Sequence, residues 1–319
     1  SITKKATIKL GKMTEAAKAV QGKLDAVVNA KLPQNAKEYT DDQIKQIEDI
    51  IANNPGDGSI GVAMLPANTD LENAIQQLAD AGIPYTAADR IIPSVASTAV
   101  SNIKYDNVEI GAAAASYLVS KGMVEGDKVV CIEGDGSSAD TDRTDGFNKY
   151  LLGEVEYNGK KIDTPWTSLD SVSYSGSTGW NPANAQAYFE TYMSNADNAD
   201  TKYIAAWDSG LALAVCDALA GSAIDDATKE AFLANGPFLT GCGGPKSIYA
   251  VIAGDYTNYP VAEQFGGIMD VTYPPAMIQD TIQALVDYFD GKDVPQENTQ
   301  SAQCVTADNV AEFMDKGFE

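Results

Sequence analysis

Residues 59–89 have the sequence SIGVAMLPANTDLENAIQQLADAGIPYTAAD, and their pattern indicates the fold class. Residues 59–65 form a short apolar run, which is typical of a buried strand. The apolar positions of residues 70–81 recur three or four apart, as on one face of a helix, and Gly82 marks the helix end. Residues 83–89 (IPYTAAD) then predict a second strand. We therefore expect a strand, a helix and a second strand parallel to the first.

The same alternation continues through the rest of the chain. Strands are predicted at residues 128–134, 202–208, 237–244 and 266–273, and helices at 107–121, 144–151, 183–193, 210–221 and 275–289. Two such sets predict an α/β fold of two Rossmann-like lobes. We expect a first lobe of residues 1–106 plus 273–303, and a second lobe of residues 107–272 plus 304–319.

The two ends of the chain and two polar stretches complete the prediction. Residues 6–11 (ATIKLG) suggest a strand, residues 15–30 have helical periodicity, and residues 41–52 predict an amphipathic helix capped by Thr40 or Asp41. Residues 303–317 predict a strand, a turn and a helix. Two polar stretches are expected to be loops at the carboxyl ends of strands, at residues 135–142 and 173–182.

The charge of the chain excludes several functions. Lys and Arg number 22 against 45 Asp and Glu, which gives a formal charge of -23, and the chain contains no histidine. Such a field repels nucleic acid and anionic membrane surfaces. The lack of histidine excludes His-dependent triads and His-ligated zinc. No apolar run is long enough to span a bilayer, so if the protein is exported we expect this chain to be the mature form of a precursor with a signal peptide.

The four cysteines are Cys131, Cys216, Cys242 and Cys304, and they form no CxxC pair or metal-binding cluster. Two interpretations remain open. The cysteines are buried free thiols, or Cys216 and Cys242 form a disulfide bridge within one lobe.

Asp89 and Arg90 end a predicted strand, where side chains can point into a crevice from a rigid scaffold. A carboxylate accepts hydrogen bonds from hydroxyl groups and a guanidinium donates a planar fork, so the pair suits the vicinal hydroxyls of a sugar. The alternative is a surface ion pair of little consequence.

Arg143 lies in GDGSSADTDRTDGF, a stretch rich in Gly and Ser that leads into a helix. Its guanidinium could bind hydroxyls or an anion. Asp140, Asp142 and Asp145 lie close to it, which disfavours a phosphate ligand and raises calcium as an alternative. The spacing departs from the EF-hand pattern, because Leu151 occupies the twelfth position where that loop requires Glu.

Trp180 lies in a predicted loop and Trp207 lies at a strand end beside Asp208. Both indoles could stack on the apolar face of a sugar ring or a base, and the alternative for each is packing in the core. GCGGP at residues 241–245 lacks the spacing of a phosphate-binding loop and is interpreted as a turn.

Several segments together resemble the type 1 periplasmic binding proteins, in particular the ribose-binding-protein-like sugar receptors of ABC transporters. The segments are AGIPYTAADR, YDNVEIGAAAASYLVSKG, VVCIEGDGSSADTDRTDGF, YIAAWDSGLALAVCDALAG, GKDVP and VTADNVAEF. Their order and spacing carry the resemblance, which covers residues 41–319.

The resemblance implies a ligand held between two lobes that three crossovers join as a hinge. The implied ligand-binding residues are Asp89, Arg90, Asn107, Arg143, Trp180, Trp207, Asp208 and Thr272. Trp207 stands where the family has Asn, and Thr272 stands at the position of a hinge Gln. Gly243 replaces an acidic ligand contact, and residues 6–17 contain no aromatic clamp.

The sequence therefore predicts an extracytoplasmic solute-binding protein that captures a sugar or polyol and delivers it to an ABC permease. We expect a monomer that acts by hinge closure, with no catalytic residue, cofactor or metal. One alternative is a sensor of the same fold that presents a small molecule to a membrane receptor. Another is a carboxylate-based carbohydrate enzyme, although no nucleophile with an adjacent base can be recognised.

Overall fold

The computed structural model describes residues 36–273 and 277–318. The strand and the helix predicted within residues 6–11 and 15–30 lie outside the described residues. The chain divides into two compact units, Ser1–Lys104 with Ala276–Thr299 and Tyr105–Pro275 with Gln300–Glu319. The chain thus passes from one unit to the other three times.

Helices and strands alternate along most of the chain. The helices are α1 (Ala36–Ala52), α2 (Glu72–Asp80), α3 (Asn107–Ser120), α4 (Ser138–Leu151), α5 (Pro182–Met193), α6 (Ser209–Ala220), α7 (Asp226–Ala234), α8 (Lys246–Ile252) and α9 (Met277–Phe289). The strands are β1 (Val62–Met64), β2 (Tyr85–Ala88), β3 (Ser101–Tyr105), β4 (Val129–Glu133), β5 (Val172–Ser177), β6 (Tyr203–Ala206), β7 (Phe238–Gly243), β8 (Gly267–Thr272), β9 (Glu297–Gln300) and β10 (Cys304–Val305). Short 3-10 turns lie at Thr69–Leu71, Ala96–Thr98, Ala196–Asp200, Pro260–Gln264 and Val310–Glu312.

The first unit is built on a sheet whose described strands have the order β1-β2-β3-β9. β1 pairs with β2 in parallel, as the sequence predicts, and β3, which was not predicted, also pairs with β2 in parallel. The apolar face of α2 is buried in the core, and Ile75, Leu78 and the N-cap residue Leu71 are each no more than 1% exposed. On β2, the Thr86 hydroxyl donates to the carbonyl of Thr281 at 2.9 Å and so ties α9 to the sheet.

The second unit has the strand order β10-β8-β7-β6-β4-β5, with β10 antiparallel to β8 and the other pairs parallel. Numbered within the unit, the parallel strands have the doubly wound order 2-1-3-4-5. Helix α6, which is mostly apolar, is buried against the sheet, and Phe189 and Phe232 meet at a ring distance of 5.7 Å in the same core.

Helices α3 and α4 contact each other backbone to backbone through two glycines. A Cβ on Gly111 would lie 1.9 Å from the carbonyl oxygen of Arg143, and a Cβ on Gly146 would lie 2.0 Å from the carbonyl oxygen of Val108. Only glycine permits an approach this close. The crossing places the middle of α4 beside the first turn of α3.

Three boundaries predicted from the sequence are wrong. Helix α1 begins at Ala36, before the proposed cap at Thr40 or Asp41. Residues 138–142 belong to α4 rather than to a loop, because the buried carboxylate of Asp140 accepts the amide hydrogens of Gly134 and Gly136 at 2.7 Å each and lets the helix start early. Residues 303–317 form β10 and a 3-10 turn, with no α-helix.

The stretch at residues 173–182 was predicted as a loop, but its first half, residues 173–177, forms β5. Among the described strands, β5 lies at the edge of its sheet and pairs with β4 alone. An edge strand has one solvated side and tolerates polar residues. Such a strand lacks the apolar run by which the buried strands were predicted. Helices α7 and α8 are short and were not predicted.

The cysteines are free thiols: Cys131, Cys216 and Cys242 are buried and Cys304 is half-buried. The Cys216–Cys242 bridge is therefore wrong, and the free-thiol alternative is the correct one for both residues. Burial raises the pKa of both thiols to about 12, so they stay protonated and unreactive.

Candidate ligand-binding site in the second unit

The second unit has a topological switch point between β4 and β6, where the chain connections leave in opposite directions along the sheet. In open α/β sheets, ligands bind at the carboxyl ends of the strands at such a point. The residues that follow β4 lead into α4 and Arg143, and those that follow β6 are Trp207 and Asp208. The fold therefore brings these three predicted residues to one edge of one sheet.

Arg143 is buried, with 4% of its surface exposed, and two hydrogen bonds fix its guanidinium. Its Nε donates to Asn107 Oδ1 at 2.9 Å, and its Nη1 donates to the carbonyl oxygen of Trp207. Among the described residues the guanidinium makes no ion pair, and Nη2 makes no hydrogen bond. Arg143 thus presents a preorganised cationic donor whose third nitrogen is available to a ligand.

Two aromatic rings flank this guanidinium. Its Cζ lies 4.7 Å from the ring centroid of Tyr273 and 5.5 Å from that of Trp180. Tyr105 contacts Tyr273 in turn, with ring centroids 5.1 Å apart. Contacts with ring faces stabilise a cation without using its hydrogen-bond donors, so these rings hold the charge in place and leave Nη2 uncommitted.

Trp180 has an unusual backbone conformation, with φ at 56° in the left-handed region that large side chains rarely adopt. The turn before it is pinned to β4, because the amides of Thr178 and Gly179 both donate to the carbonyl of Gly134, at 2.7 and 2.8 Å. The indole covers Gly134, where a Cβ would lie 2.2 Å from the ring. The indole Nε1 is buried and has no partner among the described residues. Strain of this kind is often found at binding sites.

Trp207 is 1% exposed and packs in the core, with its ring 5.6 Å from that of Phe147 and its Nε1 donating to Thr144 Oγ1 at 2.9 Å. This environment favours the core alternative for its indole, while its carbonyl oxygen orients Arg143. Asp208 caps α6 by accepting the Gly210 amide at 2.7 Å. Burial raises the pKa of Asp208, and the Gly210 amide and Arg143 partly offset that effect.

The remaining predicted residues lie elsewhere. Asp89 and Arg90 belong to the first unit, where Arg90 donates to the carbonyl of Ala67 at 2.6 Å and Asp89 has a left-handed φ of 68°. Thr272 ends β8 in the second unit, and its hydroxyl accepts the Gln303 amide at 2.9 Å. The structure therefore groups Asn107, Arg143, Trp180, Trp207 and Asp208, and assigns the Asp89–Arg90 pair to the other unit.

Tyr105 and Tyr273 were missed by sequence reasoning. Tyr273 follows β8, so strand-end position was an available signal for it, whereas Tyr105 ends β3, a strand that was not predicted. Tyr273 was taken as the end of a predicted strand and Tyr105 was given no role, and nothing in the sequence shows that these distant positions meet beside Arg143.

The described residues contain no group of three or more His, Cys, Asp or Glu side chains that could hold a metal ion. The acids near Arg143 have other roles, since Asp140 binds loop amides and Asp145 pairs with Lys149 at 3.0 Å. In the described part of the chain, no helix is long and apolar enough to cross a membrane.

Parallel strands in the order 2-1-3-4-5, with a fixed arginine and aromatic rings at the switch point, define an α/β protein of the small-molecule-binding class. A family model described as a periplasmic binding protein domain matches residues 10–293. The chain belongs to this family.

Solved structures support the assignment of the fold. A solute-binding protein from Agrobacterium vitis with bound D-fucose is 15% identical over 96% of both chains, with a TM-score of 0.66. The Caulobacter myo-inositol binding protein is 18% identical over 95% of this chain and 93% of its own, with a TM-score of 0.64. A carbohydrate transporter solute-binding protein from Chloroflexus aurantiacus, in complex with D-glucose, is 20% identical over 89% of this chain and 85% of its own, with a TM-score of 0.62.

At these identities the likeness concerns the fold, and the chain has the two-lobed type 1 periplasmic binding protein fold. A comparison with curated proteins gives no match.

Proposed function

We propose that this protein is an extracytoplasmic solute-binding protein that captures a sugar or polyol and delivers it to an ABC permease. The observation that carries the proposal is the geometry of Arg143. It is a buried guanidinium held by Asn107, by the Trp207 carbonyl and by two ring faces, with Nη2 uncommitted among the described residues.

The chemistry of these groups favours a neutral hydroxylated ligand. An uncommitted guanidinium nitrogen donates to hydroxyl oxygens, and the half-buried carboxylate of Asp208 accepts from hydroxyl hydrogens. Because the charges of Arg143 and Asp208 have opposite signs, the local charge does not favour an anionic ligand. The rings of Trp180 and Tyr273 offer faces for the C–H bonds of a sugar or cyclitol.

In this proposal Arg143, Asp208, Asn107 and Trp180 form the part of the ligand site that the second unit supplies. Asp89 and Arg90 remain candidates in the first unit, and Thr272 remains a candidate at the end of β8. The role of Trp207 is assigned to its carbonyl oxygen rather than to stacking on the ligand.

The bound ligands named for the similar solved structures, D-fucose, myo-inositol and D-glucose, are all hydroxylated rings. They support the ligand class proposed here. The family supports a location outside the cytoplasm and a role in binding rather than catalysis.

A thermal-shift screen tests the proposal, because a ligand that binds only the folded state raises the unfolding midpoint. The screen contains pentoses, hexoses and polyols, with nucleosides and amino acids as the competing classes. We expect the shifts among sugars or polyols. A shift confined to nucleosides or amino acids would contradict the ligand class, and turnover of a bound sugar would contradict the non-enzymatic role.

A further inference from the structure

Asp270 lies in the middle of β8 and its surface is completely buried. The Ser209 hydroxyl donates to Asp270 Oδ1 at 2.7 Å, whereas Oδ2 has no hydrogen-bond partner among the described residues. The carboxyl group occupies the space above Gly241, where a Cβ would lie 2.7 Å from Oδ1. The carboxyl group is therefore enclosed by protein, and only one of its two oxygens is hydrogen-bonded within the described part of the chain.

The surroundings of Asp270 supply little compensation for a negative charge. The titratable or charged groups that act on it from the neighbouring elements are Asp208 on α6, Arg143 on α4, Cys242 on β7, Tyr249 on α8 and Cys304 on β10. Among the described residues, no cation forms an ion pair with it. A buried carboxylate with one bare oxygen is far more costly than a neutral carboxylic acid in the same place.

Burial is the main cause that raises the pKa of Asp270 to about 8, and the nearby charge of Asp208 adds to it. The hydrogen bond from Ser209, the nearby Gly244 amide and the charge of Arg143 act in the opposite direction.

Asp270 is connected to the ligand site through a short series of contacts. Ser209 is the first residue of α6 and follows the cap Asp208, and its hydroxyl would lie 2.8 Å from a Cβ on Gly243. Gly243 ends β7, and its carbonyl accepts the amide of Tyr273 at 3.1 Å. The ring of Tyr273 in turn covers the guanidinium of Arg143.

We propose that Asp270 is a positioning residue which, as a neutral carboxylic acid, holds Ser209 and the end of β7 in the arrangement that sets Tyr273 against Arg143. This inference rests on the proposed function, because the site that it stabilises is the one assigned to the sugar or polyol. Ionisation of Asp270 places an uncompensated charge beneath that site and weakens ligand binding.

The effect on stability has a defined direction. The group binds its proton more tightly in the folded state than in the unfolded state, so its stabilising contribution is complete below about pH 4 and is lost as the pH rises to about 8. Within this interval the unfolding equilibrium constant of the wild type rises by up to tenfold per pH unit because of this one proton. Above about pH 8 the contribution stays constant.

The test compares the wild type with Asp270→Asn, which keeps the shape and is neutral at every pH. Urea unfolding is measured without ligand from pH 5 to 9, and the affinity for the best sugar or polyol from the thermal-shift screen is measured from pH 6 to 9.5. Asp163→Asn, an exposed acid of the same unit, is the control. The four cysteines are present in both proteins, so the contribution of their thiols to the pH dependence cancels in the comparison.

We expect Asp270→Asn to gain stability relative to the wild type as the pH rises from 5 to 8, and to keep its affinity above pH 8 while the wild type loses at least threefold. If the free energy of unfolding has the same pH dependence in the two proteins, Asp270 is not a neutral acid in the folded state. Failure of Asp270→Asn to fold at pH 6 would contradict the neutral acid as well. Equal affinity profiles would overturn the positioning role.

The measurements distinguish a failure of the proposed function from a failure of the positioning role of Asp270. If no sugar or polyol binds the wild type, the proposed function fails, whereas the unfolding curves still decide the protonation state of Asp270. If the wild type binds a sugar and its affinity has the same pH profile as that of Asp270→Asn, the function stands and the positioning role fails.

Discussion

Arg143 Nε donates to Asn107 Oδ1 at 2.9 Å, which joins the middle of α4 to the first residue of α3. The two helices approach closely enough for this bond because Gly111 and Gly146 lie at their contact. The direction of the guanidinium is therefore set by a helix crossing that only glycine permits, and this connection makes the site testable at residues that need not touch the ligand.

Replacing Asn107 by Ala removes the acceptor and leaves Arg143 Nε without a partner. A hydrogen bond to a charged group contributes about 1.5–3 kcal/mol, so we expect affinity for the ligand to fall at least tenfold. Asn107→Asp keeps the acceptor and should keep most of the affinity. Isothermal titration calorimetry measures both variants, and an Asn107→Ala protein with unchanged affinity would show that this contact does not orient the arginine.

Replacing Gly111 by Ala forces a methyl group to within 1.9 Å of the Arg143 carbonyl, so α3 and α4 must separate. Overpacking of this kind costs about 1–3 kcal/mol in the free energy of unfolding. Urea denaturation measures the loss. Ser120→Ala, at an exposed position on the same helix, is the control and should change stability by less than about 0.5 kcal/mol. Equal stability of the two variants would contradict the described helix crossing.

The cysteines give a prediction that needs no mutation. Because Cys131, Cys216, Cys242 and Cys304 are all free, denaturation without reductant should expose four thiols to Ellman's reagent. In the folded protein the three buried thiols should stay unreactive. A count of two thiols after denaturation would indicate a disulfide bridge and contradict the structure.

The sequence predicted the parallel core of the fold because periodicity reports burial directly. The apolar runs at 128–134 and 202–208 become β4 and β6, and the helical pattern at 107–121 becomes α3. β5 was missed because an edge strand can be as polar as a loop, and the early start of α4 depends on the buried contacts of Asp140 with two loop amides.

The candidate site was predicted only in part for a similar reason. Arg143 and Trp180 stand out by residue type and position, and the structure brings them together with Asn107. Tyr105 and Tyr273 come from strands far apart in the sequence, and their meeting is a consequence of tertiary packing. Trp207 was expected to have an accessible ring because strand ends often line crevices, but the space beside Phe147 accommodates its indole within the core.

Arg143 is proposed to bind the hydroxyl groups of a sugar or polyol, and a calorimetric titration of Arg143→Ala measures how much it contributes to the affinity. Lys149→Ala is the control, because it removes a half-exposed cation from the same helix without touching the site. We expect Lys149→Ala to bind the ligand as the wild type does and Arg143→Ala to lose at least a hundredfold in affinity while its circular dichroism spectrum is retained. A folded Arg143→Ala protein that binds the same ligand with wild-type affinity would contradict the account.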